Sequence, residues 1–163
     1  METIRTIMVA IGFSSYSKEI FTYAAGLATQ FGADLLVASI INARDVEAVG
    51  SVVSMGYDVK GEDYVSAIKQ ERRSQLDSYI DDAAFPAERV RSIFKVGNPL
   101  EELLRITVRE NVQMLVMGVK GRTDLEQLLV GSIAERLFRR SPVTIVSYRD
   151  EKTARRLRKR IHP

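Results

Sequence analysis

Apolar residues in this chain gather in short runs, and between the runs they recur every three or four positions. Ile4–Ile11 is rich in β-branched residues, and its inner part, Ile7–Ile11, is continuously apolar. Leu35–Ile41 has the same texture. Such runs suit strands covered on both faces, as in a parallel sheet. Between them Ile20, Ala24, Leu27, Ala28 and Phe31 keep helical spacing, and Gly32 stands where a helix C-cap belongs. Val90–Val96, Gln113–Met117 and Val143–Ser147 predict a third, fourth and fifth strand. Val65, Ile68, Leu76 and Tyr79 mark a helix to about Asp82, with Pro86 beyond its end. Asn98-Pro99-Leu100-Glu101 opens another, with Asn as N-cap and Pro in the first helical position. Leu100, Leu103, Leu104 and Val108 supply its apolar stripe, and Ser132–Arg140 reads as the next helix. Arg44–Asp63, punctuated by Gly50, Gly56 and Gly61, reads instead as an irregular or mobile insertion.

Strands alternating with helices, and too little chain for hairpins, imply an α/β fold: a five-stranded parallel sheet with helices on both faces. Ligands of such sheets lie beyond the carboxyl ends of the strands, where the winding direction reverses. The first and fourth strands are the expected neighbours there. The Gly12–Ser17 turn and the Gly118–Ser132 loop would then face each other across one crevice. Residues 1–148 form the predicted domain and residues 149–163 a basic tail.

That loop carries the most specific chemistry. Gly118-Val-Lys-Gly121, nine residues, then Gly131-Ser132 lies between an apolar run and a helix-like stretch. Glycines there let backbone N–H groups approach an anion without Cβ interference, and the helix N-terminus adds partial positive charge. The spacing is neither Gly-x4-Gly-Lys-Ser/Thr nor Gly-x-Gly-x-x-Gly. Each member also has a plainer reading. Ser132 with Glu135 makes a Ser-x-x-Glu capping box, and Gly118 and Gly121 are ordinary turn residues. Lys120 and Arg122 either neutralise phosphate or are solvated loop cations. Asp124 and Glu126 either hold Mg²⁺ through water or are simply solvated. Ser14, Ser15 and Ser17 suit helix capping better than phosphate contact.

Composition removes several function classes. The 163 residues hold no cysteine, so disulfides and thiolate metal sites are absent, which fits a reducing cytoplasm. The one histidine, His162, is penultimate, which argues against a Ser-His-Asp triad or a His-based zinc site. No apolar run reaches transmembrane length, and the first residues lack a signal peptide's layout. The net charge of +3 is uneven, because residues 149–160 carry +5 and the remainder −2. A wholly basic nucleic-acid-binding face is therefore not expected.

Gly-x2-Gly-x9-Gly-Ser resembles the nucleotide-binding signature of the universal stress protein family, in its ATP-binding branch. The likeness runs over nearly all of residues 1–148 and includes Phe13-Ser14, Ala33-Asp34-Leu35, Gly97-Asn-Pro and Pro142-Val143. It implies a Rossmann-like sheet, similar to adenine-nucleotide alpha-hydrolases, in strand order 3-2-1-4-5. It implies ATP, with Mg²⁺ through the phosphates. Met117, Gly118, Gly121, Gly131, Ser132 and Ile133 match positions that hold triphosphate and ribose. Ile40 matches one whose backbone meets adenine, while Ala10 and Ile11 line the same pocket. Gly12 departs from the pattern, since ATP-binding members usually carry a nucleotide-contacting aspartate there.

The family dimerises through its last strand, which makes a homodimer through Val143–Ser147 the expected assembly. A stress-response or signalling regulator is the implied function. The alternative is an interaction protein of the same fold that has lost nucleotide binding, for which Gly12 is the warning. Enzymatic activity beyond slow ATP hydrolysis lacks support, because neither a histidine base nor a motif-placed carboxylate pair is found. The tail, Asp150–Arg160, lacks interleaved aromatics and an apolar face. It reads as a solvated end, with weak contact to nucleic acid or acidic partners as the sharper alternative.

Overall fold

Three wholly buried residues in succession, Ile7, Met8 and Val9, commit the first strand to a sheet covered on both sides. The computed structural model describes residues 3–54, 61–119 and 132–161. The strands are β1 (Thr6–Ala10), β2 (Asp34–Asn42), β3 (Val90–Gly97), β4 (Met114–Gly118) and β5 (Thr144–Tyr148). They lie in the order β3-β2-β1-β4-β5, and every pairing is parallel. This is the order the resemblance implied. Parallel neighbours need crossovers, supplied by α1 (Ser17–Phe31), α2 (Ala43–Ser54), α3 (Gly61–Asp82), α4 (Pro99–Arg109) and α5 (Ser132–Arg140). A further helix, α6 (Glu151–Arg158), follows β5.

Alternate strand residues feed two cores. Ile7, Val9, Ile11, Leu35 and Val37 pack with Phe21, Ala24 and Ala28 of α1 and with Leu76 and Ile80 of α3. Met8, Leu36, Leu115 and Met117 pack on the other side with Leu100, Leu103 and Ile106 of α4 and Leu137 of α5. Gly32 ends α1 at φ 64°, donating to the Ala28 and Thr29 carbonyls as an αL cap does. Asn98 caps α4 by accepting from the Glu101 N–H at 3.3 Å, ahead of Pro99.

The chain departs from expectation between residues 44 and 63. Instead of an irregular insertion, α2 occupies 43–54 and α3 already begins at Gly61. Val46 and Val49, three positions apart, form a half-buried face. Helix α2 packs on α3 and β2, and tertiary packing of this kind outweighs the roughly 1 kcal/mol that a mid-helix glycine such as Gly50 costs. Within the basic tail, residues 151–158 form α6, started by Asp150, which accepts from the Thr153 N–H at 2.8 Å and from its hydroxyl at 2.6 Å.

Candidate functional site

Register brings the two glycine-bearing turns together. Ala10 at the end of β1 pairs with Met117 of β4 on one side and Ala38 of β2 on the other. The chain therefore leaves β1 through Ile11 and Gly12 beside the point where it leaves β4 through Gly118 and Val119. Here the winding reverses, since β2 and β3 lie to one side of β1 and β4 and β5 to the other. Helix α5 begins at Ser132 and ends at Arg140, shortly before β5, and its Ala134 and Leu137 join the core on the Met117 side of the sheet. Lys120, Gly121, Arg122, Asp124, Glu126 and Gly131 lie outside the described residues.

Of the expected site residues, Ala10, Ile40 and Met117 share the α4/α5 side of the sheet. Ala10 and Ile40 are half-buried, as are Gly12 and Gly118. Ile133, in the first turn of α5, is 39% exposed. Ile11 faces the opposite way, buried against α1 and α3, so its side chain is not beside Ala10 and Met117. Any part it takes there falls to its backbone.

Beneath the β1 turn lies a polar network that the sequence reading passed over. The Ser39 hydroxyl donates to the Ile11 carbonyl at 2.6 Å, and Arg72 Nη1 of α3 donates to that hydroxyl at 2.8 Å. Ser39 is wholly buried and Arg72 is 3% exposed. The Arg72 guanidinium also sits 5.8 Å from the centroid of the Phe13 ring. Phe13 adopts φ 56°, a left-handed conformation uncommon for a bulky residue. Its ring is stacked on Tyr79 and meets Phe94 edge-on, each at 5.9 Å. Burial pushes the Tyr79 hydroxyl pKa up, so that ring stays neutral. The signal for Arg72 was present: it stands four residues after Ile68 and four before Leu76, a cation on an apolar stripe. The serines do not cap α1 through their side chains. Its N-cap is Tyr16, and the buried Ser17 hydroxyl instead accepts from the Ser14 N–H at 2.9 Å.

At the far edge of the sheet, Glu102 of α4 meets Lys95 Nζ at 2.6 Å and Arg105 Nη1 at 2.7 Å. Lys95, then Arg105, hold its carboxyl below the usual glutamate range despite burial. A hollow of about 390 Å³ lies elsewhere, lined by Glu151, Lys152, Arg155, Arg156 and Lys159 along one face of α6. Among the described residues no group of three or more His, Cys, Asp or Glu could hold a metal ion.

A family model described as "Universal stress protein family" matches residues 3–149. Universal stress protein MJ0577 of Methanocaldococcus jannaschii is 24% identical over 156 residues, covering 87% of this chain and 94% of that protein. A solved structure of MJ0577 superimposes with a TM-score of 0.74 at 19% identity, covering 92% of this chain and 99% of that one. A universal stress protein in complex with cAMP aligns at TM-score 0.62 and 21% identity, covering 91% and 99%. One from Archaeoglobus fulgidus in complex with dAMP aligns at 0.62 and 16%, covering 91% and 100%. These likenesses show a shared fold.

Proposed function

Since the chain belongs to the universal stress protein family, we propose that it binds an adenine nucleotide, ATP, at the carboxyl edge between β1 and β4 and acts as a small regulator rather than an enzyme. The observation that carries this reading is the pairing of Ala10 with Met117, which sets the Gly12 turn beside the start of the Gly-x2-Gly-x9-Gly-Ser loop. The cAMP and dAMP held by two structural neighbours support an adenosine phosphate as the guest. The donor chemistry fits as well. Backbone amides of Gly118, Gly121, Gly131 and Ser132, with the positive end of α5, would hold the phosphates. Lys120 and Arg122 would neutralise charge, and Asp124 and Glu126 would hold any Mg²⁺ that accompanies the phosphates, offsetting further negative charge. Ala10, Met117 and Ile133 offer apolar surface, and the Ile40 backbone would meet adenine.

Two copies would associate through β5, which among the described residues is an edge strand. Such an edge is a template for another chain. We place the protein in the cytoplasm, in keeping with a chain free of cysteine. Among the described residues no helix is long and apolar enough to cross a membrane.

Calorimetric titration of ATP into the purified protein tests the reading. Binding in the low-micromolar to sub-millimolar range is expected, and its loss in Gly131→Val, where branched carbons would crowd the phosphate. No heat at millimolar nucleotide would end the proposal. Gly12 favours a second reading, an interaction protein that no longer holds nucleotide. Mass spectrometry of small molecules released from freshly purified protein separates the two. Sedimentation showing a monomer alone at micromolar concentration would remove the dimer.

A further inference from the structure

We infer that Arg72 is a positioning residue for the proposed nucleotide site, acting through Ser39 and Phe13 to fix the backbone on either side of Gly12. The geometry is a two-pronged hold. One prong runs from Arg72 Nη1 to the Ser39 hydroxyl at 2.8 Å and from that hydroxyl to the Ile11 carbonyl at 2.6 Å. The other is the guanidinium over the Phe13 ring, 5.8 Å from its centroid. Residues 11 and 13 are thus tied from below, while Gly12 between them has no side chain with which to tie itself.

Two features make this arrangement more than packing. A guanidinium keeps its charge at any ordinary pH, so burying it is unfavourable unless it is well partnered. An apolar side chain of similar volume would fill the same space at lower cost. Phe13, for its part, holds φ 56°, which a non-glycine residue keeps where its surroundings over-determine it. Arg72, Tyr79 and Phe94 surround its ring from α3 and β3. The turn is consequently shaped by α3, a helix on the opposite side of the sheet from Ala10, Ile40 and Met117. Preorganisation of this kind raises affinity by sparing the ligand the ordering of the turn.

The affinity arm of the test rests on the nucleotide reading, whereas the backbone arm does not. ATP titration and ¹⁵N-resolved NMR are applied to wild type, Arg72→Met, Ser39→Ala, the double variant and Leu76→Ala. Leu76 lies on the same helix in the same core and serves as the destabilised control. Arg72→Met, which removes a charge-assisted hydrogen bond and the Phe13 contact, and Ser39→Ala, which removes that same bond and the one to the Ile11 carbonyl, should each weaken ATP binding about tenfold or more. The double variant should lose less than the sum of the two single losses, because both single variants remove the Arg72–Ser39 bond. Gly12 and Phe13 amide shifts should move in both variants and stay in place in Leu76→Ala, whose affinity should remain within twofold of wild type. Wild-type affinity and unmoved amides in Arg72→Met would overturn the inference. So would an equal loss of affinity in Leu76→Ala. If wild type takes up no ATP, the nucleotide reading falls, and the amide shifts alone decide whether Arg72 positions the turn. Ser39→Ala, a small change, keeps the test open should Arg72→Met fail to fold.

Discussion

Replacing Gly97 by alanine would bring a methyl carbon to 2.8 Å from Glu102 Cγ and 3.5 Å from its Cδ. The first distance is too short, so one group must move. Backbone torsion offers no obstacle, because among the described glycines Gly32 alone has positive φ. Alanine there would on its own stabilise by about 0.4–1 kcal/mol through the unfolded chain. Against this stands overpacking, typically about 1–3 kcal/mol, and Glu102 is poorly placed to yield. Its carboxylate is fixed between Lys95 and Arg105, and its side chain is only 9% exposed. The net expectation is a loss of about 0–2.6 kcal/mol, up to roughly 10 °C in melting temperature for a domain of this size. Glu102→Ala removes the obstructing carbons and leaves two cations that already reach solvent, Lys95 at 43% and Arg105 at 67% exposure. In that background Gly97→Ala should be neutral or stabilising. Urea unfolding of the four proteins in the cycle reads the coupling. Equal effects of Gly97→Ala in both backgrounds would refute the close-approach argument.

Gly12→Asp should strengthen ATP binding about ten- to hundredfold by restoring a charge-assisted hydrogen bond; unchanged calorimetric affinity would mean the position does not meet the ligand. Glu102 also gives stability a pH signature. Its folded pKa is lowered, chiefly by Lys95, so its contribution is present above the ordinary glutamate pKa and is lost as pH falls through the lowered folded value. Unfolding midpoints measured from pH 6 to 2 should show a smaller acid-limb fall in Glu102→Gln than in the parent, and parallel curves would discount the pair. Lys152, Arg156 and Lys159 line one hollow beside α6, and Arg156 Nε is buried with no hydrogen-bond partner among the described residues. If polyanions use this face, anisotropy with single-stranded RNA should show salt-sensitive binding lost in the triple alanine variant. Absent or salt-insensitive binding would leave α6 a solvated end.

The elements read correctly from sequence are those whose cause is local. Asn98-Pro99 and Gly32 specify helix ends through their own chemistry, and the Ile7–Ile11 run needs no partner to declare itself buried on both faces. Helix α2 was illegible because Gly50 and the charges at Arg44, Asp45 and Glu47 obscure a short apolar face that packing makes helical. Arg72 was passed over because a cation on an apolar stripe acquires meaning only when Ser39 and Phe13, distant in sequence, are brought beneath it. Positive φ was equally hidden: nothing in the local sequence marks Phe13, which adopts it. The glycine loop was legible as a spacing. Its approach to the Gly12 turn was expected from the winding of the sheet, and at its start register pairs Ala10 with Met117.

Ala10 and Ile11 are consecutive, yet one faces α4 and α5 and the other faces α1 and α3. A single rigid amide plane therefore bridges the two layers of the molecule, and any tilt of that plane is felt by both. The next plane, joining Ile11 to Gly12, carries the carbonyl that Ser39 grips, so the buried hydroxyl anchors the first peptide of the turn itself.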